Sequence, residues 1–96
     1  MPNVLAQVVI YRTPFCSYCM RAEALLRRKG VQVELVDVSR DPGKRSWLRD
    51  ATHQSTVPQI FVNGVSVGGY DDIALLDRRG VLDQLLAEAP PGASPP

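Results

Sequence analysis

A short β-branched run, Val8-Val9-Ile10-Tyr11, precedes an amphipathic segment of helical length, Ser17 to Lys29, and a second β-branched run, Val31 to Val38, follows it. No other feature constrains the fold so tightly. Two strands joined through a helix must lie parallel, and such a connection crosses over with right-handed sense. In the helix, Cys19, Ala22 and Leu26 share one face with Leu25 beside it, while Arg21, Glu23 and Arg27 lie outside. Arg27, Arg28 and Lys29 fill the last turn, where cations suit the helix dipole, and Gly30 is placed to end it. In the second strand Val31, Val33 and Leu35 alternate with Gln32 and Glu34, so the apolar set is expected to face inward.

The rest of the chain adds to this unit. Ser39 to Pro42 reads as a turn, with Asp41 as a cap and Pro42 in the first turn of a second helix that reaches about Ala51. Trp47 and Leu48 are its expected buried residues. Pro58 opens a third strand, Gln59-Ile60-Phe61-Val62. Asn63-Gly64 is a two-residue hairpin signal, and Val65-Ser66-Val67 returns as a fourth strand. Gly68-Gly69 breaks that strand. Asp71 or Asp72 is expected to cap a helix from Ile73 to Arg79, and after Gly80 a last segment runs from Val81 to Ala89 with Leu82, Leu85 and Leu86 inward. The expected fold is α/β, in the order β-α-β-α-β-β-α: a four-stranded mixed sheet flanked by helices. Residues 1–89 form the expected domain, and residues 90–96, which are rich in proline and have no periodicity, read as a disordered tail.

With 96 residues and a net charge of +1, the chain has neither the length for two domains nor the basic balance of a nucleic-acid or membrane-surface binder. Its apolar runs are too short to span a bilayer, and its first residues lack the charged and apolar regions of a secretory signal. Both cysteines lie in a single C-x-x-C, Cys16-Ser17-Tyr18-Cys19. Disulfide-stapled secreted scaffolds distribute their cysteines along the chain, so this pattern reads as a redox or metal motif in a reducing, cytoplasmic setting. A zinc site needs two more ligands, and His53 supplies only one strong candidate.

Cys16 falls at the junction of loop and helix, where free backbone N–H groups favour a thiolate, the species that attacks disulfides. Cys19, one turn on and more buried, is positioned to close an intramolecular disulfide. Two further segments draw attention. In Thr56-Val57-Pro58 a cis proline would turn the Val57 backbone outward for pairing with an extended substrate, although a proline here also simply marks a strand start. In Gly68-Gly69-Tyr70-Asp71-Asp72 helix-start amides suit a carboxylate and an aspartate suits an ammonium, the pair of groups at the γ-glutamyl end of glutathione; the plainer reading is a capped loop.

These segments, with Ile10-Tyr11 and Gln59 to Gly64, resemble the glutaredoxin family from about Gln7 to Glu88. The resemblance implies a thioredoxin-like fold and a glutathione-coupled reductase of protein–glutathione mixed disulfides and protein disulfides. It implies Cys16 as nucleophile and Cys19 as resolving thiol. Tyr18, Thr56, Val57, Pro58, Gly69, Tyr70, Asp71 and Asp72 would surround glutathione, with Val57 pairing to its cysteinyl backbone. Many members carry Pro at Ser17, Lys at Thr13, Arg at Ser55 and Gly at His53. The usual cations for the glycyl carboxylate are therefore missing, and Arg12, beside Thr13, or Arg49 is the expected substitute. The expected partners are glutathione and disulfide-bearing client proteins, with a monomeric chain and no metal. The alternative is a [2Fe–2S] carrier in which Cys16 from each of two chains joins two glutathione thiols. A reductase-coupled redoxin that ignores glutathione is disfavoured by Tyr70-Asp71-Asp72, and a glutathione-transferase domain by the want of a helical second domain.

Overall fold

A computed structural model describes residues 4–90, so the expected proline-rich tail beyond Pro90 lies outside the described residues. The chain folds as β1 (Val8–Arg12), α1 (Ser17–Arg28), β2 (Val33–Asp37), α2 (Pro42–Thr52), β3 (Gln59–Val62), β4 (Val65–Gly68), α3 (Tyr70–Arg78) and α4 (Val81–Leu86). The strands form a four-stranded sheet in the order β2-β1-β3-β4. β1 lies parallel to β2 and antiparallel to β3, and β3 lies antiparallel to β4. The βαβ unit and the hairpin are those the sequence pattern predicts.

Alternation along the two central strands divides the core. Val8, Ile10, Ile60 and Val62 pack with Ala22, Leu25 and Leu26 of α1, Ile73 of α3, and Leu82 and Leu86 of α4. On the other face Phe61 packs with Val38 and with Leu48 of α2, with Tyr11, Val36 and Val57 alongside. All four residues of β3 are buried, which is why its sequence is continuous rather than alternating.

Local signals account for most element ends. Asp41 Oδ1 accepts from the Lys44 N–H (2.9 Å), with Pro42 in the first turn of α2. Lys29 ends α1, and its ammonium pairs with Asp77 and with Asp83 (3.0 Å), tying α1 to α3 and to α4. The Lys29 pKa is raised, first by the hydrogen bonds its ammonium donates to Asp77 and Asp83. At the hairpin, Asn63 and Gly64 both have positive φ, 52° and 80°, as a type I′ turn requires.

Four expectations need correction. Leu35 is 37% exposed, because β2 is an edge strand whose inward residues are Val33 and Val36. Val31 is buried but precedes the strand. Trp47 is 47% exposed: it stacks on Phe61 (ring centroids 5.7 Å apart) and leans on Tyr11, covering the sheet as an aromatic shelf rather than entering the core. The bounds of the last two helices differ: α3 runs from Tyr70 to Arg78 rather than from Ile73 to Arg79, and α4 stops at Leu86 rather than Ala89.

Asn63 joins three segments at once. Its Oδ1 accepts from the Gln7 N–H (2.8 Å), its Nδ2 donates to the Glu88 carbonyl (2.9 Å), and its N–H donates to the Gln7 carbonyl (2.8 Å). Asn63→Ala removes both side-chain bonds and places Ala at positive φ. The expected loss is about 1–3 kcal/mol in urea unfolding with an unchanged m-value.

Candidate functional site

Antiparallel pairing of β1 with β3 brings the end of one beside the start of the other, so the loop leading to Cys16 lies alongside Thr56-Val57-Pro58. Cys16 is the N-cap of α1, in extended backbone conformation, and its Sγ accepts from the Cys19 N–H at 3.1 Å. Cys16 and Cys19 are joined as a disulfide with Cα atoms 5.2 Å apart. The two sulfurs are unequal: Cys19 is 2% exposed within the helix's inner face, while Cys16 is half-buried at the surface. Once the bond is reduced, the free N–H groups of the first helical turn, the Cys19 N–H among them, stabilise negative charge on Cys16 Sγ, whereas burial disfavours a thiolate at Cys19.

Beside the cysteines runs a groove of about 400 Å³. Tyr18 of α1 forms one wall; Gln54, Thr56, Val57 and Pro58 form the second; Gly69, Tyr70, Asp71 and Asp72 form the third. The Val57–Pro58 bond is cis. Tyr18 and Tyr70 face each other across the groove with ring centroids 6.3 Å apart, and the Arg21 guanidinium lies 5.4 Å from the Tyr18 ring.

The third wall is built differently from the sequence expectation. Neither Asp71 nor Asp72 is the N-cap of α3. Gly69 occupies that position, and Asp72 reaches back so that its Oδ2 accepts from the Gly69 N–H (2.8 Å). The helix can start early because Gly68, at φ +97°, leaves the strand beside a bulge at Val67. Asp71 has no such bond and stands exposed at the groove.

Of the expected site residues, Tyr18, Thr56, Val57, Pro58, Gly69, Tyr70, Asp71 and Asp72 come together in the groove, next to Cys16 and Cys19. Arg12 and Thr13 are not among its lining residues. Arg12 ends β1 opposite Asp37, whose carboxyl is held below its ordinary range, chiefly by hydrogen bonding to Ser39 and in smaller part by the charges of Arg12 and Arg40. A smaller pocket of about 60 Å³ opens behind Thr56 and Val57, and there Arg45 and Arg49 sit with Ser55 and Gln54. Arg45 and Gln54 escaped sequence reasoning. The signal that could have found Arg45 is its helical spacing from Arg49, four residues on the same face of α2.

A thioredoxin-like sheet that presents a C-x-x-C disulfide at the start of its first helix defines a thiol–disulfide redox protein. The family model described as Glutaredoxin matches residues 8–67. A glutaredoxin of Pseudomonas aeruginosa is 45% identical over 80 residues, spanning 83% of this chain and 95% of that protein. Glutaredoxin 3 of Escherichia coli is 43% identical over 82 residues, spanning 85% and 99%. The solution structure of glutaredoxin from Brucella melitensis has a TM-score of 0.78 at 42% identity, covering 91% of this chain and 95% of that one. A buckwheat glutaredoxin–glutathione complex has a TM-score of 0.78 at 26% identity, covering 88% and 80%. The chain belongs to the glutaredoxin family, whose members are generally thiol–disulfide oxidoreductases.

Gly68 tests how the third wall is held. A Cβ there would run into the Asp72 side chain, in a backbone conformation that already disfavours one. Gly68→Ala is expected to break the Asp72–Gly69 bond and cost about 1–3 kcal/mol, read as a lower midpoint in thermal unfolding. Gly64→Ala, with open space around its Cβ, should cost less.

Proposed function

We propose that this protein is a glutathione-dependent disulfide reductase that acts on protein–glutathione mixed disulfides and on protein disulfides. The observation that carries the reading is the adjacency of a half-buried helix-start sulfur to a groove of peptide size with an aromatic wall, a free backbone edge and a helix start. The Cys16 thiolate attacks the glutathione sulfur of a mixed disulfide; a Cys16–glutathione disulfide forms and the client leaves as thiolate. A second glutathione thiolate attacks the glutathione sulfur of that disulfide, releasing oxidised glutathione and restoring the Cys16 thiolate. With a protein disulfide, Cys19 attacks Cys16 in the client-bound intermediate, the client leaves reduced, and two glutathiones then reduce the Cys16–Cys19 bond. Such chemistry belongs in a reducing, glutathione-containing compartment such as the cytoplasm.

In this reading the Val57 backbone pairs with the cysteinyl residue of glutathione, the α3 start receives the γ-glutamyl carboxylate and Asp71 its ammonium. The glycyl carboxylate goes to Arg45 and Arg49 rather than to Arg12, since those two guanidinium groups line the pocket behind Val57. A bridging [2Fe–2S] cluster would take one thiolate, Cys16, from each chain; Cys19 is too buried to serve, and the other ligands would come from bound glutathione.

Two outcomes are expected. Cys16→Ser abolishes turnover of a glutathionylated peptide and of a disulfide protein alike. Cys19→Ser keeps the first and loses the second; a dead Cys19→Ser enzyme with the glutathionylated peptide refutes the one-thiol route. Arg45→Ala and Arg49→Ala raise KM for glutathione by up to about fivefold, the effect shrinks in high salt, and Arg12→Ala leaves it unchanged. A rise confined to Arg12→Ala returns the carboxylate to the other side of the cysteines.

A further inference from the structure

The segment Gln54–Val57 provides much of the groove yet belongs to no helix or strand. Among the described residues, two side chains hold it. At its start the Gln54 N–H donates to the Thr52 hydroxyl (3.2 Å). At its end Gln59 Nε2 donates to the Thr56 carbonyl (2.8 Å) and to Gln54 Oε1 (3.1 Å). Gln59 is the first residue of β3, and it is 1% exposed. Its Oε1 is buried with no hydrogen-bond partner among the described residues.

A buried amide oxygen without a partner destabilises a fold. The core gains nothing from it; what the amide supplies is direction. The Thr56–Val57 peptide is trans, so the Thr56 C=O and the Val57 N–H point to opposite sides of one rigid plane. Drawing the Thr56 oxygen inward to Gln59 turns the Val57 N–H outward. Val57 lines the groove, and no group among the described residues accepts from its N–H.

We propose that Gln59 is a positioning residue: by clamping the Thr56 carbonyl it aims the Val57 N–H at the backbone carbonyl of a cysteinyl substrate bound beside Cys16. The proposal rests on the glutathione reading above and adds to it the group that orients the substrate-pairing edge. Gln59 touches neither substrate nor sulfur. Its loss weakens ground state and transition state alike, which raises KM and leaves kcat in place.

Two variants separate clamp from core. Gln59→Met keeps the volume, removes the donor and removes the unpartnered oxygen, so it should melt no lower than the unaltered protein. Gln59→Leu is close in volume and likewise offers no donor. Each should raise KM for a glutathionylated peptide roughly three- to tenfold with kcat changed less than twofold, while the rate of Cys16 alkylation stays the same. In the unaltered, isotope-labelled protein, the Val57 amide proton should move downfield on titration with S-methylglutathione. Unchanged KM in Gln59→Met, or a fall in kcat at constant KM, overturns the proposal and leaves the glutathione reading standing; a Val57 amide indifferent to saturating probe overturns the proposal together with the Val57 pairing of that reading. If the unaltered protein does not turn over the glutathionylated peptide, that reading fails and the clamp fails with it.

Discussion

The pairing of Ile10 with Ile60 at the centre of the sheet is the contact on which the rest depends. The two residues lie opposite each other in the β1–β3 register, and neither is exposed to solvent. A slip of β1 by one residue would turn Ile10 toward α2 and bring Tyr11 against α1, with Ile60 left facing α1. Because the strands are antiparallel, the same register sets the end of β1 against the start of β3. That is how Cys16, four residues past the end of β1, comes to lie beside Val57, two residues before β3.

Around that junction the fold assigns different tasks to different kinds of interaction. Apolar burial holds the inner sulfur: Cys19 sits with Ala22, Leu25 and Leu26 on the buried face of α1. Backbone geometry serves the outer sulfur, since Cys16 is the cap of the helix it begins. The substrate-facing edge depends on a few side-chain hydrogen bonds: Thr52 Oγ1 accepts from the Gln54 N–H, Asp72 accepts from the Gly69 N–H, and Gln59 donates to the Thr56 carbonyl. Segments held this way adjust at small energetic cost, as a groove that must admit and release a disulfide substrate requires.

The two faces of the sheet are also unequal. Three helices, α1, α3 and α4, cover one side, whereas α2 covers the other side incompletely. Trp47 bridges the gap by stacking on Phe61 and leaning on Tyr11, half in water. A large aromatic suits such a place because its area excludes water from the sheet without full enclosure. This shelf adjoins α2, whose Arg45 and Arg49 line the pocket behind the groove.

What the chain determines by itself is whatever local chemistry encodes. The βαβ order, the Asn63-Gly64 hairpin, the Asp41 cap, the inner face of α1 and the division of Cys16 from Cys19 all follow from spacing, side-chain type and backbone preference, and all were legible before the fold. The tertiary structure decided what depends on a neighbour distant in sequence. Leu35 was read as inward because alternation does not reveal which strand lies at an edge, and Trp47 as buried because helical periodicity does not reveal how far a helix covers the sheet. Spacing offers Asp71 or Asp72 as the cap of α3, and the cap falls on Gly69, with Asp72 reaching back to it, because the chain turns at Gly68. Sequence offers Arg12 or Arg49 as the cation; only the packing of α2 brings Arg45 and Arg49 together in the pocket beside Thr56 and Val57. Gln59 carries no signal in one dimension: a glutamine opening a strand is ordinary until its amide is seen buried against the Thr56 carbonyl. Local preferences act over a few bonds and can be read along the chain; register, edges and hydrogen bonds across the core exist only once the sheet has closed.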